Sequence, residues 1–137
     1  TRKESQRQLK ARSWQLDALL IGLFGLCAPR HFLYQGTDHW VEEKLDMGLV
    51  KEVEGLIQKG YKNTVPMQGI IYKSTVDLIK GKFDLTMLKG KLKNQMHDYI
   101  RRQLTWFKKD KRIIWFDITG KDWKQKVEKQ VRTWLNN

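Results

Sequence analysis

The sequence predicts an α/β protein that is mostly helical and whose two strands run parallel. Two observations carry this. A continuous apolar run lies near each end, and roughly 90 residues between them place their apolar positions at helical spacing. Strands joined through helices over that distance do not form a hairpin; such a crossover joins parallel strands. Two isolated parallel strands need further strands and covering helices, so the pattern reads as part of a domain.

The elements follow in order. Thr1–Arg12 is polar and basic and reads as a frayed helix or a linker. A first strand is expected over Leu16–Leu23, interrupted only by Asp17, as in a strand buried on both faces. Basic residues followed by Ala18–Ala28 imitate a signal peptide, but a bilayer span takes about 20 apolar residues and this run is much shorter. Leu26, preceding Cys27, also lacks the small side chain of a lipoprotein cleavage site. Pro29 suits the first turn of a helix through Phe32, Leu33, Trp40, Val41 and Leu45, with Gly36 as a weak point.

Gly48 bends the chain before a helix over Leu49–Lys59, whose Leu49, Val53, Leu56 and Ile57 share a face and which Gly60 stops. Tyr61–Pro66 is a loop, with the residue before Pro66 expected outside helical geometry. Ile70–Lys80 is a helix ended by Gly81. Asp84 is the N-cap of the longest helix, roughly Leu85–Lys109. Ile113–Ile118 is the second strand, Thr119-Gly120 a turn, and Asp122 the cap of a last helix with the apolar stripe Trp123, Val127, Val131 and Trp134. That makes about five helices and two strands, near 16–23 and 113–118.

Composition narrows the partners. Of 137 residues, 40% are hydrophobic and 31% charged, enough for a core and unlike a disordered chain. Lys and Arg number 27 against 15 acids, a net charge of +12, which favours a polyanion: nucleic acid first, an anionic membrane second. The single Cys27 excludes an intrachain disulfide and a cysteine zinc cluster, so the default is a reducing cytoplasm with Cys27 as a small core residue. The three histidines are too scattered for a metal site. The first residue is Thr1 rather than Met, as in a fragment or processed chain.

On the long helix, Leu85, Leu88, Leu92, Met96, Tyr99 and Phe107 fall on one side and form the expected core face. Lys89, Lys93, His97, Arg101 and Lys108 gather on a flank. Such a stripe is usually a solvated face. Here Lys89–Arg112 holds nine Lys or Arg against two acids, and Trp106 and Phe107 interleave with them. Cations hold phosphates while aromatics stack on unpaired bases, so this flank is the expected RNA-facing side. Gln103 is expected in the middle of the apolar face, where its amide needs a partner: backbone, ligand or base edge.

No catalytic machinery is legible from residue patterns. Ser5, Ser13 and Ser74 lack a glycine elbow. Lys73-Ser74 ends like a phosphate-binding loop, but Tyr72 stands where a Gly would let backbone amides wrap the phosphates. No acidic cluster suits magnesium.

Tyr99–Phe107 (YIRRQLTWF) and Arg112–Asp117 (RIIWFD) resemble the signature near the end of bacterial tRNA dimethylallyltransferases. Leu19–Leu23 (LLIGL), Gly48–Val53 (GLVKEV) and Met67-Gln68 with Tyr72-Lys73 resemble further family segments, all in one order from about Leu16 to Asp117. Family arginines fall at Gly36, Trp40 and His97; a family Gly and Glu fall at Ile71 and Ser74.

The resemblance implies a P-loop-type parallel-sheet domain, with 1–14 a basic leader or the end of an inserted helical region and 15–137 the C-terminal part of the core. It implies transfer of a dimethylallyl group from dimethylallyl diphosphate to the exocyclic amine of the adenine 3′ of a tRNA anticodon. In the family that adenine is flipped into a channel. The phosphate loop, Mg2+ and activating Asp belong to the family's N-terminal half, so no catalytic residue or metal ligand is expected in this chain. Arg101 and Arg102 are expected near tRNA phosphates or the diphosphate, Gln103 and Trp106 along the channel, and Gln68, Tyr72 and Lys73 in the neighbouring loop and helix start. The implied partners are the anticodon stem-loop, dimethylallyl diphosphate and the missing N-terminal half, with no membrane. A stand-alone RNA-binding module without catalysis, and a membrane-surface scaffold, are the competing readings.

Overall fold

A computed structural model describes residues 21–136. They form a parallel pair of strands, β1 (Phe24–Cys27) and β2 (Ile114–Asp117), and five helices: α1 (Arg30–Asp46), α2 (Leu49–Gln58), α3 (Ile70–Ile79), α4 (Leu85–Phe107) and α5 (Trp123–Leu135). The described residues divide into two compact units, a helical one over Pro29–Thr105 and a strand-bearing one formed by 21–28 and 106–136. The expected leader, 1–14, lies outside the described residues.

The helical unit is punctuated where the sequence places its breakers. Pro29 stands at the N-cap of α1, and the helix continues through Gly36 without interruption. Gly48 adopts φ 98°, a left-handed conformation that a side chain would strain, so the turn from α1 into α2 depends on glycine there. The Asp84 carboxylate accepts the Met87 N–H at 2.8 Å and caps α4.

Between α2 and α3 the chain makes two short 3-10 turns, Tyr61–Asn63 and Pro66–Gln68. Val65 takes helical angles, φ −56° and ψ −44°, against the expectation for a residue before proline. The steric bias there is a preference, and it is overcome by the winding of the segment. Gln68 N–H donates to the Val65 carbonyl at 3.0 Å, and Met67 N–H to that of Thr64 at 3.1 Å, which drives Met67 into the core.

The core of this unit is Val41, Leu49, Val53, Met67, Val76, Leu88 and Leu92, one contiguous cluster. Leu88 and Val53 are fully enclosed. Burying one such side chain stabilises the fold by about 1.5–3 kcal/mol. The expected α4 face is buried only in its middle. Leu88 and Leu92 are buried and Met96 packs against the cluster, whereas Leu85, Tyr99 and Phe107 are exposed. Ile100, one residue beyond Tyr99, is buried instead. Periodicity finds the face of a helix but not how far along it the neighbours reach.

In the strand unit, Phe24 pairs with Ile114 and Cys27 with Asp117, and the Ile114 and Ile118 N–H groups donate to Leu23 and Cys27 carbonyls at 2.9 Å each. The first strand therefore sits further along than Leu16–Leu23. Ile21–Leu23 is not strand, and 16–20 lies outside the described residues. The apolar run continues to Cys27, so periodicity could not set its limits; pairing with β2 does. Gly25 matters for closeness: a Cβ there would come within 2.7 Å of the Ile113 and Trp115 side chains.

Cys27 is half-buried rather than a core residue. The stripe of α5 is as expected, with Trp123, Val127, Val131 and Trp134 its less exposed residues and Trp134 edge-on to Phe24 at 6.3 Å. Asp122 does not cap α5 through its side chain. Its carboxylate pairs with Lys126 at 3.0 Å, which takes it off the helix amides.

Candidate nucleic-acid interface

The expected site residues lie on α4, just after its end at Lys108, at the start of α3 and, for Gln68, in the 3-10 turn before it. Lys89, Lys93, His97 and Arg101 recur every four residues along α4, and Tyr34, Asp38 and Glu42 recur every four along α1. The two rows meet in opposite chain directions. Lys89 and Lys93 both reach Glu42 Oε1, at 3.1 and 2.7 Å. His97 Nε2 lies 2.7 Å from Asp38 Oδ1, and its ring stacks on Tyr34 with centroids 3.9 Å apart. Arg101 donates to the Tyr34 hydroxyl at 3.3 Å and pairs with Asp98.

This seam changes the meaning of the stripe. Lys89, Lys93 and His97 turn to α1 and its acids rather than standing free in solvent. The two lysine ammonium groups pull the Glu42 carboxyl down from 4.5 to about 2, Lys93 by the stronger hydrogen bond, and Glu42 in turn raises Lys93. The acids Asp38 and Glu42 escaped the sequence reading, although their spacing of four on one helix against lysines spaced by four on another was a usable signal.

From Arg101, the last residue of the seam, onward, α4 opens to solvent. Arg101, Arg102 and Gln103 are exposed, and Trp106 is 77% exposed. Gln103 therefore departs from the expected buried amide: water can satisfy it and it needs no protein partner. Lys108 follows the end of α4 and is exposed. The loop into β2 is tied by Arg112, whose guanidinium donates to both Asp110 oxygens at 2.9 and 2.6 Å and holds that carboxyl at about 2.

The residues of the Pro66–Gln68 turn and of α3 separate. Gln68 and Lys73 line one concavity of about 250 Å³. Tyr72 lines another, an apolar groove of about 290 Å³ with Met96 and Tyr99. The Tyr72 hydroxyl donates to Glu52 at 2.8 Å, and that bond raises its pKa. Ser74 is buried and donates to Gln95 at 2.9 Å, so it serves packing and is not accessible as a nucleophile. Among the described residues no three His, Cys, Asp or Glu gather to hold a metal ion. Among the described residues, too, no helix is long and apolar enough to cross a membrane.

A sequence profile described as IPP transferase matches residues 1–110. The chain belongs to that family. It is 36% identical over 110 residues to the tRNA dimethylallyltransferase of Carboxydothermus hydrogenoformans, covering 80% of this chain and 35% of that protein. It is 36% identical over 119 residues to that of Natranaerobius thermophilus, covering 86% and 35%. A solved tRNA isopentenylpyrophosphate transferase from Bacillus halodurans superposes with a TM-score of 0.78 at 28% identity, over 83% of this chain and 39% of the other. One from Staphylococcus epidermidis gives 0.75 at 30% identity, over 82% and 38%. The five helices and parallel strand pair match this family's fold. The chain spans about a third of the length of the curated relatives it matches.

Proposed function

We propose that this chain is the C-terminal, tRNA- and channel-side part of a tRNA dimethylallyltransferase and is inactive alone. The observation that supports this best is a family match from residue 1 to 110 that covers only about a third of each relative. Residues 15–137 are read as the C-terminal part of a P-loop-type core, and 1–14 as a basic leader or the end of an inserted helical region. The setting is cytoplasmic, where tRNA is modified.

In the reaction, the exocyclic nitrogen of the adenine 3′ of the anticodon attacks the allylic carbon of dimethylallyl diphosphate. The new N–C bond forms, the C–O bond to diphosphate breaks, and the nitrogen loses a proton. This chain contributes positioning. Arg101 and Arg102, exposed on α4, oppose the charge of tRNA phosphates or the leaving diphosphate. Trp106 offers an exposed ring for an unstacked base or the channel wall, and Gln103, also exposed, a polar contact. Gln68, Tyr72 and Lys73 belong to the neighbouring loop and helix start. The phosphate loop, Mg2+ ligands and base-activating Asp are assigned to the N-terminal half, and none of that chemistry is assigned to residues of this chain.

Mixing the chain with the N-terminal two-thirds of the Carboxydothermus relative tests this. Labelled dimethylallyl transfer to tRNA is expected only when both are present. No transfer from a mixture whose parts are folded and associated would overturn the reading. The closed core of Pro29–Thr105 favours a second reading, a self-sufficient RNA-binding module. It predicts tight, salt-sensitive tRNA binding by the chain alone and no transfer in the mixture.

A further inference from the structure

The concavity beside α3 differs from the α1–α4 seam in how its charges are spent. Lys73 and Asp77 lie on one face of α3 and Lys80 at its C-cap, Lys62 and Gln68 come from the two 3-10 turns before it, and Lys82 from the turn after it. Four lysines thus line the opening against one acid. Asp77 is engaged by Lys82 at 2.8 Å. Its carboxyl is held below the usual range first by that hydrogen bond, with the ammonium groups of Lys80 and Lys91 adding to it.

Among the described residues, Lys62, Lys73 and Lys80 have no carboxylate within ion-pair distance, whereas Lys89, Lys93 and Arg101 on α4 all do. A concave surface lined by one sign of charge focuses the field and concentrates the opposite ion. Lys73 in α3 and Lys80 at its C-cap are seven residues apart, about 10 Å along the helix axis. That length suits a chain of phosphates better than a single ion. Gln68 adds a neutral donor able to reach a phosphate or sugar oxygen.

We propose that this cleft anchors the phosphodiester backbone of RNA through Lys62, Lys73 and Lys80, separately from the exposed end of α4. The inference rests on the reading of the chain as a tRNA-binding piece and adds a contact surface to it. Phosphate contacts carry no sequence information, so the cleft raises affinity for any RNA of suitable shape and leaves discrimination to other residues. Asp77 keeps Lys82 occupied and weakens the cleft's hold on anions.

Anisotropy of a labelled anticodon stem-loop and of an unrelated hairpin of equal length, titrated with the full chain over a salt series, tests this. Lys62→Gln/Lys80→Gln should weaken both RNAs by about tenfold and make the salt slope shallower by about 1.5 to 2. Lys124→Gln/Lys129→Gln on α5, which removes the same charge, should weaken them by about twofold or less. Asp77→Asn should tighten both by about threefold. Circular dichroism of the variants should overlay that of the parent.

Parent binding with equal losses in the two lysine pairs overturns the cleft and leaves the tRNA reading standing. Failure of the parent chain to bind either RNA overturns both. Inorganic pyrophosphate supplies the last arm: if calorimetry shows pyrophosphate binding to the parent that Lys62→Gln/Lys80→Gln loses, while RNA affinity is the same in both, the cleft takes a free anion only and the backbone proposal fails.

Discussion

The two units of the chain treat their apolar residues in opposite ways. In Pro29–Thr105, four helices close around Val41, Leu49, Val53, Met67, Val76, Leu88 and Leu92, and the helix ends are set by a proline, glycines and a capping Asp. In the unit of 21–28 and 106–136, no described residue is fully buried, although β1 and β2 are the most continuously apolar stretches in it. Leu26 is 52% exposed and Ile114 43%. The difference is geometric. An amphipathic helix buries its stripe against two or three neighbours, and the helical unit supplies them. A parallel pair has two faces and two edges to cover, and α5 offers a single apolar stripe. Apolar sequence drives burial only where the fold brings a partner.

Truncations at matched leucines give the largest expected contrast. Leu88→Ala should cost about 2–5 kcal/mol in urea unfolding. Leu26→Ala on β1 should cost less than about 1 kcal/mol. Equal losses would break the comparison between units.

Removing one buried polar contact is a smaller step. Ser74→Ala leaves Gln95 without its hydroxyl donor and should cost about 1 kcal/mol, measured the same way. Ser74→Cys, similar in size but a weak donor, should recover part of the packing and little of the bond.

Helix caps separate the units again. Asp84→Ala should lower stability by about 1 kcal/mol because the Met87 N–H loses its acceptor. Asp122→Ala should have less effect, since no amide of α5 depends on its side chain. A larger loss at Asp122 would show a cap that forms in solution.

The smallest effect is expected from the α1–α4 seam, whose ion pairs are partly solvated. Glu42 has a lower pKa folded, about 2, than unfolded, near 4.5, so the unfolded chain binds more protons in that range. Its contribution is fully present above about pH 4.5 and is lost as pH falls towards 2. Thermal midpoints measured across that window should drop less steeply in Lys93→Met than in the parent; parallel curves would remove the seam's electrostatic role.

Residue by residue, legibility tracked distance along the chain. The Gly48 turn, the Asp84 cap, the α2 face and the stripe of α5 could be read because each depends on neighbours within a few positions. Val65 could not, because its helical angles come from hydrogen bonds across the 3-10 segment that outweigh the local bias of Pro66. Of the candidate site, Arg101, Arg102 and Trp106 were singled out by their motif, and all three are exposed. The sequence reading did not associate Lys62, Lys80 and Lys82 with Lys73, since they come from separate turns and only the folding of α3 against that loop gathers them.

By itself the sequence determined the family, the basic character, the number and type of elements among the described residues, and most helix ends. These are written in local chemistry: backbone freedom at glycine, capping at aspartate, and a motif of adjacent residues. The tertiary structure alone decided which cations remain available. Lys89, Lys93 and His97 meet Glu42 and Asp38 because two helices lie side by side at one register, and a shift of that register by one residue, about 100° of helix rotation, would part them. Gln103 is wet and Gln95 is paired for the same reason. Where a charged or polar side chain ends up depends on what stands opposite it, and residues far away in the chain decide that.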